Sequence, residues 1–261
     1  MSGIDPRGAV VDVTGAGSGI GHAVALRYAK LGATVISTDI DETAAKSTAE
    51  ECRAVGAQAR SHVCDVADPE ALTALKAAVG HVDVLVNNAG VGVGGPFLDT
   101  TDDDWTWLRS INLDGVVAGC RTFGADMVAN RRGQIVNIAS GAGYLPNRRM
   151  ATYCATKAAV VMFSRCLRAD WARHGVGVSV VCPGVINTPI LQNTRLRGSA
   201  VAEKDRLAKA FSMSHSPDAV AASVARCSRR NRAMESVGIE TQLGYHALRL
   251  LPMLNGLVAR V

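Results

Sequence analysis

Ala9-Val10-Val11-Asp12-Val13-Thr14-Gly15-Ala16-Gly17-Ser18-Gly19-Ile20-Gly21 decides the reading of this 261-residue chain. Its first five residues are mostly β-branched and predict a short strand. A glycine-rich turn follows, and then a helical pattern with Ala23, Leu26, Tyr28, Ala29 and Leu31 apolar, stopped at Gly32. Strand, glycine turn and helix together point to phosphate binding. Glycines let the backbone approach a pyrophosphate, and a helix N-terminus offers free N–H groups and the positive end of its dipole. Gly15, Ser18, Gly19, Ile20 and Gly21 are therefore expected to hold a dinucleotide. An ordinary tight turn with glycines at positive φ is the alternative, and the strand–helix context argues against it.

The next predicted strand, Thr34-Val35-Ile36-Ser37-Thr38, runs into Asp39, about twenty residues beyond the glycines. In dinucleotide folds an acid at this place accepts from the adenosine ribose hydroxyls. A carboxylate there repels a 2′-phosphate, so NAD is expected over NADP. Neither His22 nor Ile40 is an arginine or lysine that would hold that phosphate. Asp41 is placed to cap the helix from Glu42 onward.

Further strands are expected near residues 59–64, 82–87, 133–139, 177–182 and 235–239, with helices between them. The alternation predicts an α/β fold, a doubly wound, Rossmann-like parallel β-sheet flanked by helices in a single domain, residues 1–261. Val84-Leu85-Val86 is apolar throughout, as a strand covered on both faces should be. Asp12 departs from that rule, and a buried carboxylate is costly unless paired or protonated. No partner for it is evident from the sequence.

Composition agrees with one enzyme-sized domain, 48% hydrophobic and without a low-complexity stretch. No apolar run reaches the ~20 residues of a membrane span, and the N-terminus lacks signal-peptide character, so a cytoplasmic protein is expected. Seven scattered cysteines without a Cys-x-x-Cys arrangement indicate neither a disulfide framework nor a zinc site. The net charge of +5 is concentrated in residues 195–232, where nine Lys or Arg face three Asp or Glu. That stretch has no interleaved aromatics and no nucleic-acid motif, so a solvated helix face is expected and nucleic acid is not.

Tyr153 and Lys157, in Thr152-Tyr153-Cys154-Ala155-Thr156-Lys157, stand four apart on one helical face. A neighbouring ammonium favours the phenolate, and the pair is a plausible proton-transfer device.

Along nearly its whole length the chain resembles the short-chain dehydrogenase/reductase family, dehydrogenase branch. The matching motifs, in order, are Thr14-Gly15-x-x-x-Gly19-x-Gly21, Asp65-Val66, Asn87-Asn88-Ala89-Gly90, Asn112, Ser140, Tyr153-x-x-x-Lys157 and Pro183-Gly184-Val185-Ile186-Asn187-Thr188. The resemblance implies oxidoreduction by direct hydride transfer to or from a nicotinamide, with no metal. It implies that Tyr153 is the general acid or base and that Ser140 holds the substrate oxygen. Lys157 would lower the tyrosine pKa and bind the nicotinamide ribose. Asn112 would distort its helix and hold a water that leads from the lysine to solvent. It also implies cofactor contacts by Asp65 and Val66 with the adenine, and by Asn87, Ala89 and Gly90 along the adenosine ribose. Pro183, Gly184, Ile186 and Thr188 would lie against the nicotinamide, and Ile40 beside the ribose acid.

The substrate is expected between the Gly141–Met150 loop, the Val91–Phe97 loop and a lid at about Pro189–Ser216. Tyr144, Leu145, Met150, Ile190, Leu191, Leu196, Phe211 and Met213 make that neighbourhood suit a hydrophobic alcohol or ketone. Arg148 and Arg149 stand close by, where an acidic head group would meet them. Runs such as Phe97-Leu98-Asp99-Thr100 are similar to a bacterial subgroup sometimes fused to α/β-hydrolase domains, which implies a lipid-like substrate. Two other readings are a dinucleotide sensor without chemistry and a membrane-peripheral docking protein using the apolar tail 241–261. A homo-oligomer, expected to be a tetramer, would pair the long helices at about Thr101–Asn130 and Ala151–Arg173 across a two-fold axis.

Overall fold

In the computed structural model, which describes residues 3–250, seven parallel strands form one sheet. In chain order the elements are β1 (Val10–Thr14), α1 (Gly19–Lys30), β2 (Thr34–Asp39), α2 (Glu42–Ala54), β3 (Ala59–Val63), α3 (Pro69–Val79) and β4 (Val84–Asn87). There follow β5 (Gly92–Gly94), α4 (Asp102–Arg109), α5 (Gly115–Ala129), β6 (Gly133–Ile138), α6 (Ala151–Trp171) and β7 (Val176–Pro183). The last are β8 (Thr194–Leu196), α7 (Lys204–Ser212), α8 (Pro217–Arg230), β9 (Met234–Val237) and α9 (Ile239–Leu250). The sheet order is β3-β2-β1-β4-β6-β7-β9. The chain therefore winds outward first to one side of β1 and then to the other. This is the doubly wound Rossmann-like arrangement expected, and each expected strand lies within two residues of its observed bounds. Loops leaving the adjacent strands β1 and β4 diverge at their C-terminal ends, which opens a crevice there.

Alternation along each strand divides the core into two layers. Val11, Val13, Val84 and Val86 pack with Val24 and Tyr28 of α1 and Val224 of α8 on one face. Ile36, Leu85 and Ile135 pack with Leu72 of α3, Phe123 of α5 and Val160 of α6 on the other.

Asp12 finds its partner across the sheet. Its Oδ1 accepts from Thr38 Oγ1 at 2.7 Å, while Oδ2 has no hydrogen-bond partner and the residue is fully buried. Burial pushes the carboxyl up to about 7. Asp41 caps α2 as expected, accepting from Ala44 N at 3.0 Å.

The segment Thr101–Asn130 is helical throughout but not uniform. α4 begins with a reciprocal capping box between Thr101 and Asp104, and a π-helical turn, Ser110–Asp114, joins it to α5. Unexpected from the sequence is a small parallel sheet between β5 and β8, too short and glycine-rich to carry a strand pattern.

The basic stretch 195–232 is also more engaged than a solvated face. Arg197 makes two 2.7 Å hydrogen bonds to the buried Asp104 carboxylate, and Arg195 bonds Asp103 and Asp104 while stacking over Trp107. Arg226 and Arg232 pair with Glu235. Paired cations are satisfied within the fold, so this stretch offers less free positive charge than its composition suggests. Among the described residues no helix is long and apolar enough to cross a membrane. The tail's Leu251, Leu254, Leu257 and Val258 lie outside the described residues.

Candidate active site

The turn after β1 folds on itself more tightly than any side chain would permit. A Cβ at Gly21 would stand 2.0 Å from Gly15 O, and Gly15, at φ +64°, lies against Ala89. α1 then starts at Gly19 with Ser18 extended at its N-cap, and the Ser18 hydroxyl makes no capping hydrogen bond. The first N–H groups of α1 thus have no side-chain acceptor, and its first turn holds no acidic residue. That is the environment an anion requires. Asp39 closes the far end of the turn. Its Oδ2 accepts from Gly17 N at 2.8 Å and its Oδ1 from Asp41 N at 3.0 Å, which fixes the carboxylate in the crevice.

These groups line a groove of about 210 Å³. The glycine turn gives it Gly15, Ser18, Gly19 and Ile20, and the end of β2 gives Asp39 and Ile40. Asp65, Val66, Ala89, Gly90 and Thr188 complete the predicted set along it. Gly21 is buried beneath the turn, so its part is packing. Asn87 is likewise turned inward, donating to Asn137 Oδ1 at 2.8 Å and bracing β4 against β6. The neighbouring Asn88 faces the groove instead, because successive residues of a strand point to opposite sides. Asn88 Nδ2 donates to Thr14 O at 2.9 Å and Gly15 O at 3.1 Å, which anchors the glycine turn. Cys64, Val91 and Ile111 also line the groove, and local sequence patterns carried no signal for them. The uncapped helix terminus, the glycine cradle and the fixed carboxylate fit a dinucleotide: N–H groups for the pyrophosphate and Asp39 for ribose hydroxyls.

The groove opens into a larger cavity of about 790 Å³, where Tyr153, Lys157 and Ser140 come together. Tyr153 and Lys157 share one face of α6, with Lys157 Nζ 5.8 Å from the centre of the tyrosine ring. Lys157 is almost fully buried, and its Nζ donates to Ile138 O at 3.1 Å. Burial pulls this ammonium down to about 8. Burial also pushes Tyr153 up to about 12, offset in part by the Ser140 hydroxyl beside it. The net shift of Tyr153 in the chain itself is thus upward, because desolvation disfavours the phenolate more strongly than the Ser140 hydrogen bond favours it. Ser140 caps a short 3-10 turn, its Oγ accepting from Ala142 N at 3.1 Å.

Asn112 sits in the π-helical turn, fully buried and outside the cavity wall. Its Oδ1 accepts from Val91 N and its Nδ2 donates to Val91 O, both at 2.9 Å. This two-point clamp fixes the strand-to-loop exit after Gly90. A Cβ at Gly90 would stand 3.2 Å from Asn112 Oδ1 and 3.5 Å from Lys157 Nζ, so both groups crowd the same side of that glycine.

Pro183, Gly184, Ile186 and Thr188 line the cavity. Of the residues expected to make the substrate region apolar, Leu145, Met150, Ile190, Leu191, Leu196 and Phe211 line it. Tyr144 does not, its hydroxyl being bound to Ser236 Oγ at 2.8 Å. Met213, 80% exposed, faces solvent instead.

Known proteins share both the sequence and this geometry. The pattern described as "short chain dehydrogenase" matches residues 9–198. The chain is 40% identical over 98% of its length to "Probable oxidoreductase EphD" of Mycobacterium tuberculosis, of which the match covers 46%, so the chain spans about half the length of the curated relatives it matches first. A short-chain dehydrogenase/reductase from Burkholderia phymatum, solved with NAD, superposes with a TM-score of 0.86 at 31% identity, covering 95% of this chain and 96% of that one. A metagenomic short-chain oxidoreductase solved with NADP gives a TM-score of 0.73 at 32% identity, covering 90% and 97% of the two chains. The shared pattern covers the glycine cradle, Asp39 and the Tyr153–Lys157 helix, and on these grounds the chain belongs to the short-chain dehydrogenase/reductase family.

Proposed function

We propose that this chain is an NAD-preferring dehydrogenase that interconverts a hydrophobic secondary alcohol and its ketone, with Tyr153 as general acid and base. The observation that carries this reading is the meeting of Tyr153, Ser140 and Lys157 in a mostly apolar cavity continuous with the Asp39 groove. Leu145, Met150, Leu196 and Phe211 in the cavity lining support an apolar substrate body. Asp39 supports NAD, since no cation stands beside it to receive a 2′-phosphate and Ile40 occupies the adjoining rim, 67% exposed.

A dinucleotide held by the glycine turn and Asp39 would supply or accept the hydride through its nicotinamide. Ser140 orients the substrate oxygen through its hydroxyl. Tyr153, a phenol at neutral pH and a weaker acid still for its burial, gives its proton to the developing alkoxide during reduction. Lys157 steadies the resulting phenolate, and it has a backbone partner in Ile138 O that fixes its reach. Asn112 acts one step away, holding Val91 and the loop that borders the cavity. The segment 189–216 covers the substrate side as a lid, with β8 tied to β5 at its start. The seven free thiols fit a cytoplasmic setting.

The test is NADH oxidation with a panel of aliphatic and aryl ketones, by wild type and by Tyr153→Phe. The variant should lose at least two orders of magnitude in kcat, since general acid catalysis contributes about 10²-fold or more, while dinucleotide affinity stays within a few-fold. Lys157→Ala should damage both rate and dinucleotide binding. Binding without turnover of any ketone or alcohol would favour the sensor reading over this one.

A further inference from the structure

The far wall of the substrate cavity carries more positive charge than its own ion pairs consume. Arg148 and Arg149 reach it from the loop before α6, and Glu203 and Arg206 from the segment that enters α7. Arg149 and Glu203 pair across the cavity, joining the two walls. Arg148 and Arg206 have neither an ion pair nor a hydrogen bond among the described residues, although both line the cavity. The three arginines together hold the Glu203 carboxyl below its ordinary value, Arg149 by direct hydrogen bonding and the other two by charge at longer range. One carboxylate thus sits among three guanidinium groups, leaving an excess of two positive charges, on the exposed Arg148 and Arg206, at the rim of a mostly apolar chamber. Leu145, Pro146, Leu207 and Phe211 line the same cavity as this cluster and Tyr153.

We propose that the substrate is an amphiphile: its apolar body fills the cavity and an anionic group, a carboxylate or phosphate ester, is received by Arg148, Arg149 and Arg206, with Glu203 as the internal anion it displaces. The inference rests on the oxidoreductase reading only for which end of the ligand reacts. Guanidinium groups suit this task because they present several donors to a planar or tetrahedral anion. The half-exposed Arg149–Glu203 pair is weakly held in solvent, and a ligand anion can replace it at small cost. Its rupture would also release the contact that ties segment 198–212 to the loop 144–150, coupling ligand entry to opening of the wall.

The test reads binding, so it does not depend on turnover. Octanoate, octyl phosphate and 1-octanol are titrated calorimetrically into the protein saturated with dinucleotide. Wild type should bind at least one of the two anions about tenfold more tightly than 1-octanol, the worth of one charge-assisted hydrogen bond. The octanoate and octyl phosphate arms identify which anion the cluster prefers. Arg148→Ala with Arg206→Ala should reduce that preference at least several-fold relative to 1-octanol, and Glu203→Gln should strengthen anion binding. Equal affinity of wild type for the anions and 1-octanol overturns the proposal, as does weaker anion binding in Glu203→Gln. Reduction of 2-octanone with no anion preference would sink this inference alone, whereas absence of any turnover would sink the oxidoreductase reading and leave the binding result standing.

Discussion

Replacing Asp12 by asparagine should make the fold more stable at neutral and alkaline pH and cost it about 1–2 kcal/mol in acid. Asp12 lies in the middle of β1, between Ile36 of β2 and Leu85 of β4, with no exposure to solvent. One of its oxygens accepts from Thr38, and the other has no partner. In an unfolded chain this carboxyl releases its proton near pH ~3.9, but in the fold burial raises that value to about 7. Between these two values the native state binds more protons than the unfolded state, so stability falls as pH rises. Below ~3.9 the cost is absent, and above about 7 it is complete. The interval of about three pH units corresponds to roughly 4 kcal/mol at ~1.4 kcal/mol per unit. Asparagine keeps the acceptor for Thr38 and carries no charge, at the expense of an unpaired amide N–H worth ~1–2 kcal/mol at every pH. For a domain of this size 1 kcal/mol moves Tm by roughly 2–4 °C, so the gap between variant and wild type should grow by on the order of 10 °C from about pH 4 to about pH 8. Differential scanning calorimetry of both proteins across that range measures it, and taking the difference cancels the other titrating groups. A pH-independent gap would refute the reasoning, since it would mean that Asp12 does not change its proton affinity on folding.

Asp39→Ala combined with Ile40→Arg should shift the ratio of kcat/KM toward NADP by removing a repelling carboxylate and adding a phosphate partner; wild-type preference for NADP would contradict the Asp39 argument. Asp104→Ala breaks the Arg197 and Arg195 contacts that fasten β8 to α4, and should cost about 2 kcal/mol, less than a fully buried pair because both arginines are partly exposed. The same variant should raise KM more than it lowers kcat, because it loosens the cavity wall and leaves Tyr153 in place. The expected homotetramer pairs α5 and α6 with their counterparts. Of the apolar residues on these two helices, Val116, Phe123 and Val161 go into the core, while Met162 remains 57% exposed. Light scattering at micromolar concentration should give a tetrameric mass for wild type and a smaller one for Met162→Glu; a fully active monomer would remove the idea.

Relations within one element or between chain neighbours were legible in the sequence. The strand, glycine turn and helix at residues 9–31 fix a dinucleotide-type crevice, because glycine's freedom and the helix terminus act locally. The spacing of Tyr153 and Lys157 places both on one face by helical period alone. What the sequence left open depends on partners far apart in the chain. Thr38 answers Asp12 from 26 residues away, and Arg197 reaches Asp104 from 93 residues away. Whether Asn87 or Asn88 faces the groove is set by the phase of β4 in the assembled sheet, and two adjacent asparagines give no such phase on their own. The tyrosine's proton affinity is not legible from the lysine beside it, because desolvation is a property of the whole surrounding cavity and not of a neighbour four residues away. The arginine cluster, too, exists only once the loop before α6 and the start of α7 face one another across the substrate chamber. Sequence determined the fold and the shared helical face of Tyr153 and Lys157 through short-range periodicity; tertiary packing alone decided burial, charge balance and the shape of the cavity beside them.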